Sequence, residues 1–221
     1  MAMLKPYINL ATKKKKLQCY NFHTVYFLPR LNTDVFLTGI FTMRRFKKGD
    51  HLPTITVESL NQGKITLPST GVTTHLQFRR FAGCPMCNLH LHQFKMRANE
   101  LTAANIQEIV VFHSTADSLR EFQSDTPFAM IADPGKQLYR QFGVQESIWA
   151  VAHPIALIKA IYAVIKGYRG KPKTEESVTG LPADFLINEK GEMIAVHYGR
   201  HGSDHWEFDA VLRKSRVLSN K

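Results

Sequence analysis

Two cysteines separated by two residues, Cys84 and Cys87 in FRRFAGCPMCNLHLH (residues 78–92), are the side chains in this sequence best suited to redox or metal chemistry. An apolar strand-like run precedes them and a helix-like run follows, so Cys84 is expected at a helix N-terminal boundary. Unpaired backbone N–H groups and the positive end of the helix dipole favour an anion there, which lowers a thiol's pKa. The thiolate is the nucleophile, so the same placement makes the sulfur reactive at neutral pH. Pro85 suits the first helical turn because its missing N–H would have no helical partner. Cys87 falls one turn on, within reach of Cys84, and a reversible disulfide is sterically reasonable.

Other side chains bear on the same site. Arg79 and Arg80 lie on the entering strand and should point to opposite faces, so at most one can assist a thiolate. A metal site built from Cys84, Cys87, His90 and His92 is awkward, because His90 and His92 point about 200° apart on a helix and a tetrahedral site would need a distant fourth ligand. Two inert buried thiols are the remaining alternative. Farther on, Pro182 opens the strand in GLPADFLINEKGEMIAV; a cis peptide bond there would hold the preceding backbone extended and expose edge groups to an incoming peptide or thiol. Cys19 is too remote in sequence to assign.

The elements that must position these residues follow from periodicity. TITVESL and KITLPS, joined by NQG, read as a hairpin, and THLQFRRF as a strand. The run from Cys87 to Asn105 reads as one helix with apolar positions at Leu89, Phe94, Met96 and Leu101. EIVVFHS is a strand covered on both faces. A helix (SLREFQSD), a strand (FAMIAD) and a helix stopped by Gly143 come next. ADFLIN and EMIAVHYG flank Glu189, Lys190 and Gly191 as a second hairpin, before a final amphipathic helix in DHWEFDAVLRKSRVL. The order implies an α/β fold, a central mixed β-sheet flanked by helices with an N-terminal β-hairpin. The segment Ile148 to Ile165 stands outside that pattern and reads as an inserted apolar helix kinked by Pro154, a dimer contact or a lid.

The bulk numbers narrow the class. With 221 residues, 44% hydrophobic and 21% charged, the chain suits one globular α/β domain with appendages. Three cysteines do not make a disulfide-stapled scaffold, which implies a reducing compartment and a cytoplasmic location. The net charge of +11 is uneven: residues 1–42 hold six Lys/Arg against one Asp, nearly half the excess. The other basic residues lack the interleaved aromatics that stack single-stranded bases, so no nucleic-acid partner is expected. Residues 1–42 are too interrupted for a membrane span and lack a clean signal-peptide core, so no membrane partner is expected. Met43 opens what reads as the natural start of the domain, and residues 1–42 as a basic N-terminal extension upstream of it.

From about Gly49 to Leu218 the sequence resembles the thioredoxin-fold superfamily, in its peroxiredoxin-like branch related to alkyl hydroperoxide reductase and thiol-specific antioxidant proteins. FRRFAGCPMC, EIVVFHS, FAMIADPGKQLYRQFGV and GLPADFLINEKGEMIAVHYG carry the likeness in order and spacing. The resemblance implies a thioredoxin-like fold, Cys84 as attacking thiol, Cys87 as resolving thiol, a peroxide or disulfide substrate, a thioredoxin-like or small-thiol reductant, and no cofactor or metal. A homodimer is compatible with it. Two positions depart from the branch: Phe81 stands where a Thr is usual, and Pro182 where an Arg is usual. Arg79, Arg80 or Arg140 could replace that Arg, and the pair together with Pro182 also resembles thioredoxin-like disulfide exchange. A non-catalytic redox or metal-binding module, or an interaction protein using the Ile148–Ile165 segment, is the alternative on the same scaffold.

Overall fold

The computed structural model describes residues 45–216. The proposed extension, its boundary at residue 43 and Cys19 lie outside the described residues.

β1 (Ile55–Ser59) and β2 (Gly63–Leu67) pair antiparallel as the expected hairpin. Its turn ends at Gly63, whose φ of 69° favours glycine. A five-stranded sheet has the order β5-β4-β3-β6-β7. β3 (Thr73–Arg79), β4 (Ile106–Phe112) and β5 (Ala129–Ala132) run parallel. β6 (Ala183–Ile187) pairs antiparallel with β3, and β7 (Met193–Tyr198) returns beside it. β4 is almost wholly buried, as its unbroken apolar run requires of a strand covered on both faces.

Side-chain alternation divides the core between the two faces. Leu76 and Phe78 of β3 pack with the hairpin's Val57 and Ile65 and with Tyr139 and Phe142, at and just after α4 (Gln137–Gln141). The opposite face packs under α1 (Pro85–Met96), α3 (Ala116–Gln123) and α7 (Phe208–Arg216), through Leu91, Phe94, Leu119, Phe208 and Val211. Where one helix was expected from Cys87 to Asn105, α1 ends at Met96 and α2 (Ala98–Ala103) begins after it. Arg97 takes φ −115° and ψ 21° at the break, and its guanidinium bonds Glu100 and Asp209. Met96 is exposed instead of facing the core.

Pro154 does not kink a helix; it starts one. The short α5 (Trp149–Ala152) stops at His153, which caps α6 (Pro154–Ile165) by accepting the Ile155 N–H on Nδ1 at 3.3 Å. Pro at the first helical position sacrifices no helical hydrogen bond. α6 lies on α1 as a surface helix. No helix among the described residues is long and apolar enough to cross a membrane.

Candidate active site

β3 delivers the chain to the N-terminus of α1, and Cys84 is the N-cap with extended φ −61° and ψ 115°. Its Sγ accepts the Cys87 N–H at 3.4 Å, and its carbonyl accepts the Asn88 N–H at 3.0 Å. The approach is pinned at Ala82: its N–H donates to Ser114 Oγ at 2.8 Å, and its carbonyl accepts from Asn88 Nδ2 and Gln123 Nε2. The two cysteines are free, with their sulfurs 2.6 Å apart and Cys87 donating to Cys84, so the pair is within reach of a disulfide.

Arg80 meets the thiols. Its Nη2 donates to Cys84 Sγ at 2.9 Å and its Nη1 to the Val178 carbonyl at 3.1 Å, with the side chain buried. Arg79, on the opposite face, donates to Asp184 Oδ1 at 3.0 Å and to Gln77. The two arginines diverge as expected, although β3 ends at Arg79 and Arg80 lies one residue past it; the one that bonds sulfur is Arg80. Arg140 lies outside this group, lining a 550 Å³ surface pocket with His113, Lys136 and Glu146.

The thiols titrate as a pair. Burial raises both, but the S–H···S hydrogen bond and the Arg80 guanidinium pull Cys87 down to about 5. Cys84 is pushed well above the ordinary thiol value by burial and by its neighbour's charge. One anion shared by two sulfurs in contact excludes a second, so the low step belongs to the pair. The sequence placed the depressed pKa on Cys84 through the helix terminus; the structure lowers it for the pair, chiefly through the second sulfur and Arg80. Arg80 is itself pushed up: burial opposes its charge, but the sulfur anion outweighs burial.

Both sulfurs are buried. The segment between α6 and β6 packs on the turn that carries them: a Cβ on Gly170 would lie 2.2 Å from the Gly83 carbonyl oxygen, so only glycine allows this approach. The same segment supplies the Val178 carbonyl to Arg80 and the Ser177 carbonyl to His113 Nε2 at 2.8 Å. Gly180 packs against His113 and the Arg80 side chain, and Gly202 against the guanidinium.

Pro182 is buried at the entrance to β6, where its carbonyl accepts the Gly199 N–H at 2.9 Å. Its peptide bond is not cis; the cis bond among the described residues is Leu67–Pro68. The exposed-edge role expected of a cis Pro182 is therefore not its geometry here. Phe81 is buried beside the Arg80 guanidinium, 5.9 Å from it. His90 faces away from the sulfurs, with Nε2 on the Trp206 carbonyl at 2.9 Å, and burial lowers its pKa well below the ordinary value. His92 is exposed. Among the described residues no three of His, Cys, Asp or Glu gather as metal ligands.

A charged cluster beneath the site escaped the sequence reading. His75 Nδ1 meets Glu108 Oε2 at 2.8 Å and its Nε2 lies 3.6 Å from Asp184 Oδ1, all three buried. Burial alone would lower His75, but Glu108 and Asp184 raise it to about 9. Asp184 is held low against burial by Arg79 and His75. The signal was present in the alternation of THLQFRR, which puts His75, Gln77 and Arg79 on one face, and in the lone charge of ADFLI.

Residues 91–201, half of the chain, match the family model described as AhpC/TSA antioxidant enzyme; Cys84 and Cys87 lie just before the match. The fold is similar to that of peroxidoxin BcpB from Mycobacterium tuberculosis, with TM-score 0.58, 15% identity, and 79% of this chain and 99% of that chain covered. A reduced 2-Cys peroxiredoxin from Plasmodium vivax gives TM-score 0.58 at 11% identity, covering 78% of this chain and 82% of its own. A thiol:disulfide interchange protein, DsbE, from Chlorobium tepidum gives 0.50 at 19%, covering 79% and 99%. A comparison with curated protein sequences finds no match.

Proposed function

The chain belongs to the AhpC/TSA antioxidant enzyme family, a family of thiol-dependent oxidoreductases on a thioredoxin-like fold, and on that premise we propose that Cys84 and Cys87 are its reactive dithiol and peroxides its substrates. The observation that carries this reading is the buried Arg80 guanidinium 2.9 Å from Cys84 Sγ. It supplies the charge that the usual Arg would provide at the position of Pro182. Across the S–H···S contact Cys87 Sγ donates to Cys84 Sγ, so the pair's one proton sits on Cys87 and its anion on Cys84, where Arg80 Nη2 and the Cys87 N–H also donate.

The Cys84 thiolate attacks one peroxide oxygen and the O–O bond breaks, leaving a sulfenic acid. The departing alkoxide takes the Cys87 proton, and Arg80 stabilises the negative charge as it forms. The new Cys87 thiolate attacks the sulfenic sulfur; the S–S bond forms and hydroxide leaves, taking a proton from solvent. A small thiol or thioredoxin-like dithiol then returns the pair to its reduced form, so one peroxide consumes two thiols. Peroxide entry requires the packing around the sulfurs to give way, because both are buried. We assign this cycle to a reducing, cytoplasmic compartment, and residues 1–42 to a basic extension outside it.

Phe81 favours a second reading, disulfide exchange, since an apolar ring stands where the branch usually has a hydroxyl for the peroxide. Replacing each cysteine separates the roles. Cys84→Ser should abolish turnover, and Cys87→Ser should consume one peroxide and hold a sulfenic acid at Cys84 that dimedone captures. Undiminished turnover in Cys84→Ser, with the sulfenic acid on Cys87, would reverse the assignment.

A further inference from the structure

α5 and α6 carry a broad apolar surface that the thiol chemistry does not use. On α6, Ala156, Ala160 and Ala163 form the side packed on the body. At 100° per residue the opposite half-circumference runs from Val164 through Ile161, Ile165 and Ile158 to Tyr162 and Ile155, all exposed and none charged. Ile148 and Trp149 extend it, 65% and 56% exposed. With Leu157, 56% exposed between Val164 and Ile161, nine such side chains at roughly 100 Å² each present about 900 Å², against about 300–600 Å² for the largest patch on a typical monomer. Lys159, the one charge within α6, sits at the edge of this surface and pairs with Glu207 at 3.4 Å.

Cations follow the apolar face. Lys166 lies at the helix C-terminus with its Nζ 5.6 Å over the Tyr162 ring. Arg169 and Lys171 are exposed, and none of the three has an ion pair among the described residues. An apolar half-cylinder bordered by unpaired cations is the pattern of a helix lying in a bilayer interface, apolar side among the acyl chains and cations among anionic headgroups. The 12 residues of α6 span about 18 Å, too short to cross ~30 Å of hydrocarbon. A second copy would cover such a helix along one seam and leave its flanks wet, whereas lipid covers the whole half-circumference. We propose that α5–α6 docks the protein in plane on an anionic lipid bilayer, a surface contact where the sequence led us to expect no membrane partner.

The test is co-sedimentation of the full chain with vesicles of phosphatidylcholine containing phosphatidylglycerol, and with phosphatidylcholine alone. Wild-type protein should favour the anionic vesicles and be released by salt. Ile158→Glu/Ile161→Glu should weaken partitioning about tenfold or more, and Lys166→Glu/Arg169→Glu/Lys171→Glu should remove the preference for phosphatidylglycerol. Circular dichroism and the urea-unfolding midpoint, neither of which should change, establish that the variants fold. Failure of the wild type to bind, or binding unaffected by both variants, would overturn the inference. So would a dimer, seen by sedimentation velocity, that Ile158→Glu/Ile161→Glu dissolves without any effect of vesicles. Vesicle binding in a chain that lacks peroxide turnover would uphold the docking surface and refute only the thiol assignment.

Discussion

Arg80→Met is the perturbation that most sharply isolates the electrostatics of the site. It keeps most of the side-chain length and removes the donor 2.9 Å from Cys84 Sγ. A hydrogen bond from a charged donor to a buried anion contributes roughly 1.5–3 kcal/mol, which is about one to two pKa units. The low step of the pair, set at Cys87 to about 5, should therefore rise to about 6–7. Thiolate ultraviolet absorbance and the pH dependence of iodoacetamide alkylation, read on the same protein, would give that midpoint. Arg80→Lys should recover part of the shift, because a point charge replaces the bidentate fork that also holds Val178. Peroxide turnover should fall more than thiolate fraction alone explains, since the proposed cycle also uses Arg80 to stabilise the leaving oxygen. A midpoint unchanged in Arg80→Met would refute the reasoning and leave the helix terminus and the thiol pair as the source of the low step.

Other perturbations probe this packing and the buried charges. Gly170→Ala places a methyl against the Gly83 carbonyl and should lift the segment from the turn that carries the thiols, costing about 1–3 kcal/mol while speeding alkylation of the pair; slower or unchanged alkylation would contradict that packing role. Asp184→Ala leaves Arg79 buried without its carboxylate and should cost about 3–5 kcal/mol in urea unfolding; a loss below about 1 kcal/mol would show that the guanidinium finds other partners. His75 is raised to about 9 from its ordinary 6.5. Its contribution to stability is thus fully present below pH 6.5 and is lost as pH rises through about 9, on the order of 3 kcal/mol in all. His75→Gln should flatten urea-unfolding stability across that window, and an unchanged slope would place the titration elsewhere.

Much of this architecture was legible because it is local. Alternation marked β3, the turn at Glu189–Gly191 marked the β6–β7 hairpin, the unbroken apolar run marked β4, and Cys-Pro at a strand-to-helix junction located the helix start. The arginine choice was half legible: alternation implied that Arg79 and Arg80 diverge, but which one meets Cys84 depends on the path of the chain past Arg79, where β3 ends. The break at Arg97 was not legible, because Asp209, which helps hold its guanidinium, lies in α7. The packing around the thiols was hidden for the same reason, since Gly170, which meets Gly83, and Val178, which accepts from Arg80, lie far along the chain. The pKa division between Cys84 and Cys87 depends on a sulfur separation that spacing bounds without fixing. Pro182 kept its expected place at the strand entrance while its isomer remained beyond sequence reasoning.

The central claim is that this dithiol reduces peroxide, and the most direct measurement mixes fully reduced protein with one equivalent of hydrogen peroxide under anaerobic conditions, following peroxide loss and intact mass from seconds to minutes. Rapid peroxide loss, with the mass decreasing by two hydrogens and the disulfide mapped to Cys84 and Cys87, is the predicted result. Persistent peroxide, with the pair still readily oxidised by a disulfide reagent, would contradict it and make disulfide exchange the reaction of this site.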